Sequence, residues 1–239
     1  MIGYGDEDNN FVLELTYNYG IRSYERGNDF NYIKVLSNKA IENIKARNYS
    51  HQLTNDGFYE LEDPNGYRFL VGENKVDSTR DLVTEVSLFA TNIEQSENYW
   101  VNVLNNKLVS KTDSRLEVSF AVSDFKLVLL KAGNVDHGKA YGRIAFSCPT
   151  DQLKPLQADI ESKNLTVLTK FISLDTPGKA TVCVVILADP DGHEICYVGD
   201  EGFRDLSQVD PKAQDLLNDA VNADKSDSWH EKKQAKQKQ

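Results

Sequence analysis

Two turns of one kind, far apart in the chain, limit what this sequence can fold into. Val184-Val185-Ile186-Leu187-Ala188 is an apolar, largely β-branched run that leads into Asp189-Pro190-Asp191-Gly192 and then the alternating segment 193–198. Pro sets φ at the second turn position and Gly tolerates a positive φ at the last, so the stretch predicts strand, tight turn, strand. Asp63-Pro64-Asn65-Gly66, followed by residues 67–72, is a weaker copy. Two such hairpins in one chain point to internal repetition.

The remaining hydrophobic pattern bears this out. Residues 32–36 predict a strand, 38–47 a short helix with Ile41 and Ile44 on one face, and 51–54, 57–62 and 67–72 three further strands. A second unit repeats the order: strand 82–90, helix 93–104 with Ile93, Trp100, Val103 and Leu104 aligned, then strands 107–111, 115–122 and 126–131 around a turn at Ser123-Asp124. The third has strand 144–148, helix 151–163 with Leu153, Leu156 and Ile160 inward, and strands 166–173, 181–188 and 193–198. Pro155 is tolerable only in that helix's first turn. The period is roughly 55 residues. A strand at 11–17 reads as the closing part of a further unit, which makes the chain a shortened form of a four-unit protein with an exposed sheet edge. Asp210 and Pro211 predict the N-cap and first residue of a last helix with Leu216, Leu217, Ala220 and Val221 as its stripe. The Lys/Gln-rich end, 230–239, predicts a disordered tail.

The expected fold is therefore α+β, with repeated βαβββ modules paired into concave mixed sheets. Residues 1–75 would be a first domain lacking its opening half-module, 80–200 a second domain, and 201–229 a helical extension. A net charge of −10 disfavours nucleic acid and anionic membrane surfaces as partners. Three cysteines without a secretion signal predict reduced thiols and a cytoplasmic protein. A mitochondrial location would need a presequence on a longer form. A protein partner or a homodimer is compatible with this composition.

Strand-helix-three-strand units in pairs are the building block of the vicinal oxygen chelate superfamily, which includes glyoxalase I. Leu13-Glu14-Leu15-Thr16-Tyr17-Asn18-Tyr19-Gly20 is similar to the Leu-Glu-Leu-Thr-His-Asn-Trp-Gly segment of glyoxalase I. The chain to about residue 229 resembles the glyoxalase domain-containing protein 4 group. The resemblance is carried by Gly142-Arg143-Ile144-Ala145-Phe146-Ser147-Cys148-Pro149, by residues 173–181 and by 189–201. It implies a glyoxalase-like activity, namely detoxification of methylglyoxal or a related dicarbonyl as its glutathione hemithioacetal. A divalent ion of the zinc or nickel class would polarise the vicinal oxygens, and a carboxylate would move a proton between adjacent carbons.

Carried over residue by residue, the resemblance makes Glu14 the metal ligand or catalytic carboxylate. Asn18 and Arg26 become contacts to the glutathione moiety. The other ligand positions of that first site read Phe30 and Leu70, so its ligand set is incomplete. In the second, the equivalents are Glu85, Val128, Arg143 and Cys196, with Glu194 on the same strand face as Cys196. A guanidinium cannot ligate a metal. Arg143 is therefore expected to pair with Glu85 or Glu194, and Arg143→Leu to cost about 3 kcal/mol by stranding a carboxylate. His193 and Cys196 point to opposite faces of a strand and make no zinc half-site. His51, His137, His193 and His230 read as surface or turn residues, and the chain has no phosphate loop or nucleophile elbow. Two functions stay open at this point: a glyoxalase-type isomerase, and a non-catalytic binding or scaffold protein with degenerate metal sites.

Overall fold

The computed structural model describes every residue except 17, 19, 20, 22, 76–80, 121–124, 141, 178, 238 and 239, and gives backbone alone for 230 and 233–237. Strands β1 (Ile2–Gly3) and β2 (Val12–Leu13) form a short antiparallel pair. The first unit is β3 (Phe30–Leu36), α1 (Asn38–Ala46), β4 (Gln52–Leu53), β5 (Tyr59–Glu62) and β6 (Arg68–Gly72). The second is β7 (Val83–Ala90), α2 (Ile93–Glu97) continued by a π-helical turn over Asn98–Val103, β8 (Lys107–Thr112), β9 (Arg115–Ser119) and β10 (Lys126–Lys131). The third is β11 (Arg143–Cys148), a 3-10 turn over Thr150–Gln152 leading into α3 (Leu153–Ser162), β12 (Val167–Asp175), β13 (Thr181–Ala188) and β14 (Glu194–Gly199). Helices α4 (Asp200–Leu206), α5 (Ala213–Ala223) and α6 (Ser226–Gln237) follow.

All three units share one topology. The opening strand lies parallel to the last, which pairs antiparallel with the third, and the third with the second. The two sequence-matched turns also coincide bond for bond. Asp63 Oδ1 accepts from the main-chain N–H of Asn65 and Tyr67, and Asp189 Oδ1 from those of Asp191 and His193. Gly66 and Gly192 close them at φ of 83° and 90°, a region open to glycine at little cost.

In this strand order the opening strand of each unit is a free edge, and two such edges can pair. β3 joins β7 antiparallel, fusing the first and second units into one eight-stranded sheet, while the third unit keeps a separate four-stranded sheet with β11 at its edge. The eight-stranded sheet therefore crosses the 75–80 boundary drawn from the sequence, and its halves are the first and second units rather than the second and third.

One core runs through both sheets, from Ile33 and Val86 through Trp100, Leu116 and Leu127 to Leu153, Ile160, Leu187 and Ile195. Ile41 and Ile44 seat α1 on Val71, and Ser37 caps that helix by accepting from Ala40 N–H. Pro155 falls in the first turn of α3, where its missing N–H costs nothing.

Four local expectations shift. The strand at 11–17 shortens to Val12–Leu13, with Tyr17 outside the described residues, as is the turn at Ser123-Asp124. Asp210 does not cap α5; its carboxylate accepts from Lys212 N–H in a turn of its own, and the helix begins two residues later than expected, at Ala213. The α5 stripe is exposed: Leu216, Leu217 and Val221 are each more than half accessible. The segment expected to be disordered is largely helical in α6, since Lys, Gln, Glu and Ala are good helix formers and no Pro or Gly interrupts them. No described helix is long and apolar enough to cross a membrane.

Candidate functional site

Each sheet has a face that carries the positions singled out in the sequence. On the eight-stranded sheet, Lys34 of β3 and Lys126 of β10 flank Glu85 of β7, while Glu117 of β9 lies beside Val128. Cross-strand partners share a face, and these side chains join into a ladder. Lys34 Nζ lies 2.9 Å from Glu85 Oε2, and Arg115 approaches the same oxygen at 4.0 Å. Arg115 Nε then donates to Glu117 at 2.8 Å, and Lys126 Nζ to the other Glu117 oxygen at 3.2 Å. The Tyr32 hydroxyl donates to Glu85 at 3.3 Å. Burial pushes that hydroxyl's pKa up, with the Glu85 charge adding to it. Burial also opposes the charge on Glu117, but Arg115 and Lys126 outweigh it and hold the carboxyl below its usual range. Three cations therefore surround two carboxylates.

The four-stranded sheet carries the rest. Arg143 opens β11 opposite Glu194 of β14, and its Nε and Nη2 donate to one carboxylate oxygen at 3.0 and 2.6 Å. The partner is Glu194 and not Glu85, which belongs to the other sheet. The Arg143 side chain is 45% exposed, so water screens the pair and lowers the cost of removing it to about 1 kcal/mol, below the sequence-based figure. Cys196 sits two residues beyond Glu194; burial raises its thiol pKa, Arg143 opposes the rise, and Glu14 and Glu194 add to it. Glu14 is exposed, and the N-terminal segment that carries it is anchored both at α4 and beside the start of β10. Asp8 is bonded to Ser207 and paired with Arg204 at 3.7 Å, and Phe11 stacks on Phe125 at 5.3 Å.

The other two residues named with Glu14 make their contacts elsewhere. Asn18 donates to the Tyr24 hydroxyl. Arg26 donates to Gly66 O, lies 5.4 Å over the Tyr67 ring and bridges Gly138. Leu70 is opposite Lys34, and Val128 is fully buried beside Ser87.

These donor sets do not fit a divalent ion. Zinc-class metals want three or four neutral or anionic N, O or S donors converging on one point. Glu85 is already held by Lys34 and Tyr32, and Glu117 by Arg115 and Lys126. Glu14, Glu194 and Cys196 do not converge, and Arg143 occupies Glu194. Among the described residues, the one group of three or more such ligands that does converge is Asp29, His137 and His193. It lies off both faces, at the corner where the Asp189 turn meets the end of β7. Lys34, Arg115, Glu117 and Lys126 were missed in the sequence, although a lysine inside the apolar run of β3 was a usable signal. Of the histidines expected at surface or turn positions, His193 does close the Asp189 turn but is buried there, and His137 is half-buried.

Comparison with known proteins follows this architecture. A model of the glyoxalase domain-containing protein 4-like C-terminal domain matches residues 92–206. The mouse glyoxalase domain-containing protein 4 is 47% identical over 232 residues, covering 96% of this chain and 78% of the mouse one. Glyoxalase 1 of Caenorhabditis elegans is 43% identical over 230 residues, covering 96% of this chain and 80% of its own. Glyoxalase I from Zea mays superposes with a TM-score of 0.70 over 84% of this chain and 78% of the maize one; at 24% identity this likeness shows the fold alone.

Proposed function

The chain belongs to the glyoxalase domain-containing protein 4 family, and from that premise we propose that it is a glyoxalase-like protein that takes methylglyoxal or a related dicarbonyl as its glutathione adduct. The name of its C. elegans relative, Glyoxalase 1, supports this substrate class. The observation that supports the reading is the accessible Arg143–Glu194 pair on the four-stranded sheet, with Glu14, exposed on the N-terminal segment, assigned as the carboxylate that works beside it. A carboxylate there can take a proton from the adduct's sulfur-bearing carbon and return it to the neighbouring one. Arg143, nearly half accessible, offers the positive charge that an oxyanion or a glutathione carboxylate needs. No step is routed through a metal in either sheet, because the residues present do not fit one.

A second reading is favoured by a separate observation. Lys34 on Glu85 and Arg143 on Glu194 occupy the carboxylate at each of those positions, which suits a non-catalytic binding or scaffold protein. Turnover separates the two. Purified chain mixed with methylglyoxal and glutathione should form lactoylglutathione, seen by NMR, and Glu14→Gln should abolish it. Retention of rate in Glu14→Gln would remove Glu14 from the chemistry. Absence of product from the unaltered chain, with adduct analogues still bound, would leave the second reading.

A further inference from the structure

The corner beside the Asp189 turn holds Asp29, His137 and His193, each contributing one ligand atom within 4.8 Å of the other two. We propose that these three residues form a binding site for a divalent transition ion of the zinc class, distinct from both sheet faces. The proposal stands apart from the reading of the Glu14 side.

The first argument is the hydrogen bonding of the two rings. His137 Nε2–H donates to Asp191 O at 2.9 Å, and His193 Nε2–H donates to Phe89 O at 2.7 Å. Metal-binding imidazoles characteristically give one ring N–H to a main-chain carbonyl, which fixes the tautomer and aims the other nitrogen. Both rings here have that bond already, so Nδ1 is the nitrogen that would coordinate in each. His137 Nδ1 lies 2.8 Å from Asp29 Oδ2. With Nε2 donating to a carbonyl, the contact between Nδ1 and a carboxylate needs a proton. A divalent ion can replace that proton while both carbonyl bonds remain.

The second argument is rigidity. The ligands come from three distant segments, and each is tied down before any ion binds. Asn28 N–H donates to Asp136 O, Asp136 N–H donates to Asn28 Oδ1, and Lys139 N–H donates to Glu25 O, each at 2.7 Å. These bonds lock the loop of His137 against the strand entrance of Asp29. Gly27 and Gly138 permit the approach, since a Cβ at either would overlap the opposing backbone. Asp189 Oδ1 holds His193 N–H at 3.0 Å, while its Oδ2 accepts from Trp100 Nε1 at 3.2 Å. Preorganisation of this kind keeps the ordering cost of binding low.

The third argument is charge. Asp29, Asp189 and Asp191 meet two imidazoles at this corner, and Asp191 Oδ2 is buried with no hydrogen-bond partner among the described residues. The corner is short of positive charge. Asp29 and His137 side chains are 14% and 31% exposed, so the ion and completing water ligands have a route in from the His137 side. Two imidazoles and one carboxylate with open positions is a set that takes zinc-class ions in preference to calcium or magnesium.

The test is titration of chelator-stripped full chain with zinc by calorimetry, together with the visible spectrum of the cobalt form. We expect one zinc per chain and a cobalt spectrum without thiolate charge transfer. His137→Gln and Asp29→Asn, each checked for fold by circular dichroism, should bind about 100-fold more weakly. An Asp29→Glu variant that regains part of the affinity would separate loss of a ligand from loss of structure. The proposal is overturned if the folded chain takes up no zinc. Equal binding by His137→Gln, or a thiolate band placing cobalt on Cys148, Cys183 or Cys196, overturns it as well.

Discussion

Replacing Glu85 with Leu should expose how the ladder on the eight-stranded sheet is balanced. Glu85 and Lys34 are 2.9 Å apart with side chains 11% and 18% exposed. At that separation the attraction is about 6 kcal/mol with an effective dielectric near 20, before desolvation is subtracted. Removing one partner of a buried pair costs about 3–5 kcal/mol, because the other charge is left without compensation. The residual water contact here, and Tyr32 and Arg115 on the same carboxylate, place Glu85→Leu at about 3 kcal/mol. For a chain of this length that is a drop of about 6–12 °C in Tm. Lys34→Met should cost less, since Glu85 retains Tyr32 and Arg115. The double variant, apolar on both sides, should recover most of the loss, giving a coupling of about 2 kcal/mol by a double-mutant cycle in urea at low salt. Additive losses in the double variant would refute the pairing, and with it the argument that Glu85 is not free to ligate a metal.

Three further outcomes follow from the same geometry. Trp100→Phe removes the Nε1 donor to the buried Asp189 and should cost about 1–3 kcal/mol in urea denaturation, whereas Tyr99→Phe should cost little, because the Tyr99 hydroxyl has no hydrogen-bond partner among the described residues. Gly192→Ala should cost about 1–2 kcal/mol, from its positive φ and from a Cβ placed 3.0 Å from His137 Nε2. Stability should also respond to pH on both sides. Burial opposes the charge on His137, but Asp191 O and Asp29, with Asp189 beyond, outweigh it and raise its pKa. Its contribution is full below the ordinary histidine value and fades as pH rises through the folded one. Glu117, held low by Arg115 and Lys126, contributes fully above the ordinary carboxylate value and loses its contribution as pH falls through the folded one. Urea midpoints against pH should therefore fall on both flanks; Glu117→Gln should flatten the acid side and His137→Gln the alkaline side.

The repeat was legible because turn chemistry and hydrophobic period agree locally. Asp63 and Asp189 announce the same hairpin twice, and Ile41 with Ile44 announces the α1 face. Pairing between units was not legible. Any opening strand can join any other by backbone hydrogen bonds that carry no residue code, so nothing in β3 or β7 by itself excludes β7 joining β11. The ladder was half legible: Glu85 was singled out, but Arg115, Glu117 and Lys126 look like ordinary surface charges until three strands bring them to one face. The Asp29–His137–His193 corner was invisible, since its members lie on segments that meet only after both sheets have formed. A carboxylate partner for Arg143 was legible, because an arginine at a ligand position needs one nearby, but the choice between Glu85 and Glu194 was not, since it depends on which strands share a sheet.

The most direct test of the account is binding of S-methylglutathione, a stable stand-in for the adduct, to chelator-stripped chain. Saturable binding of one molecule per chain, unchanged by added zinc or nickel and weakened by Arg143→Leu and by Glu14→Gln, is the expected result. Binding that arises only when an ion is supplied, or none at all, would contradict the claim that these faces receive their ligand through side chains alone.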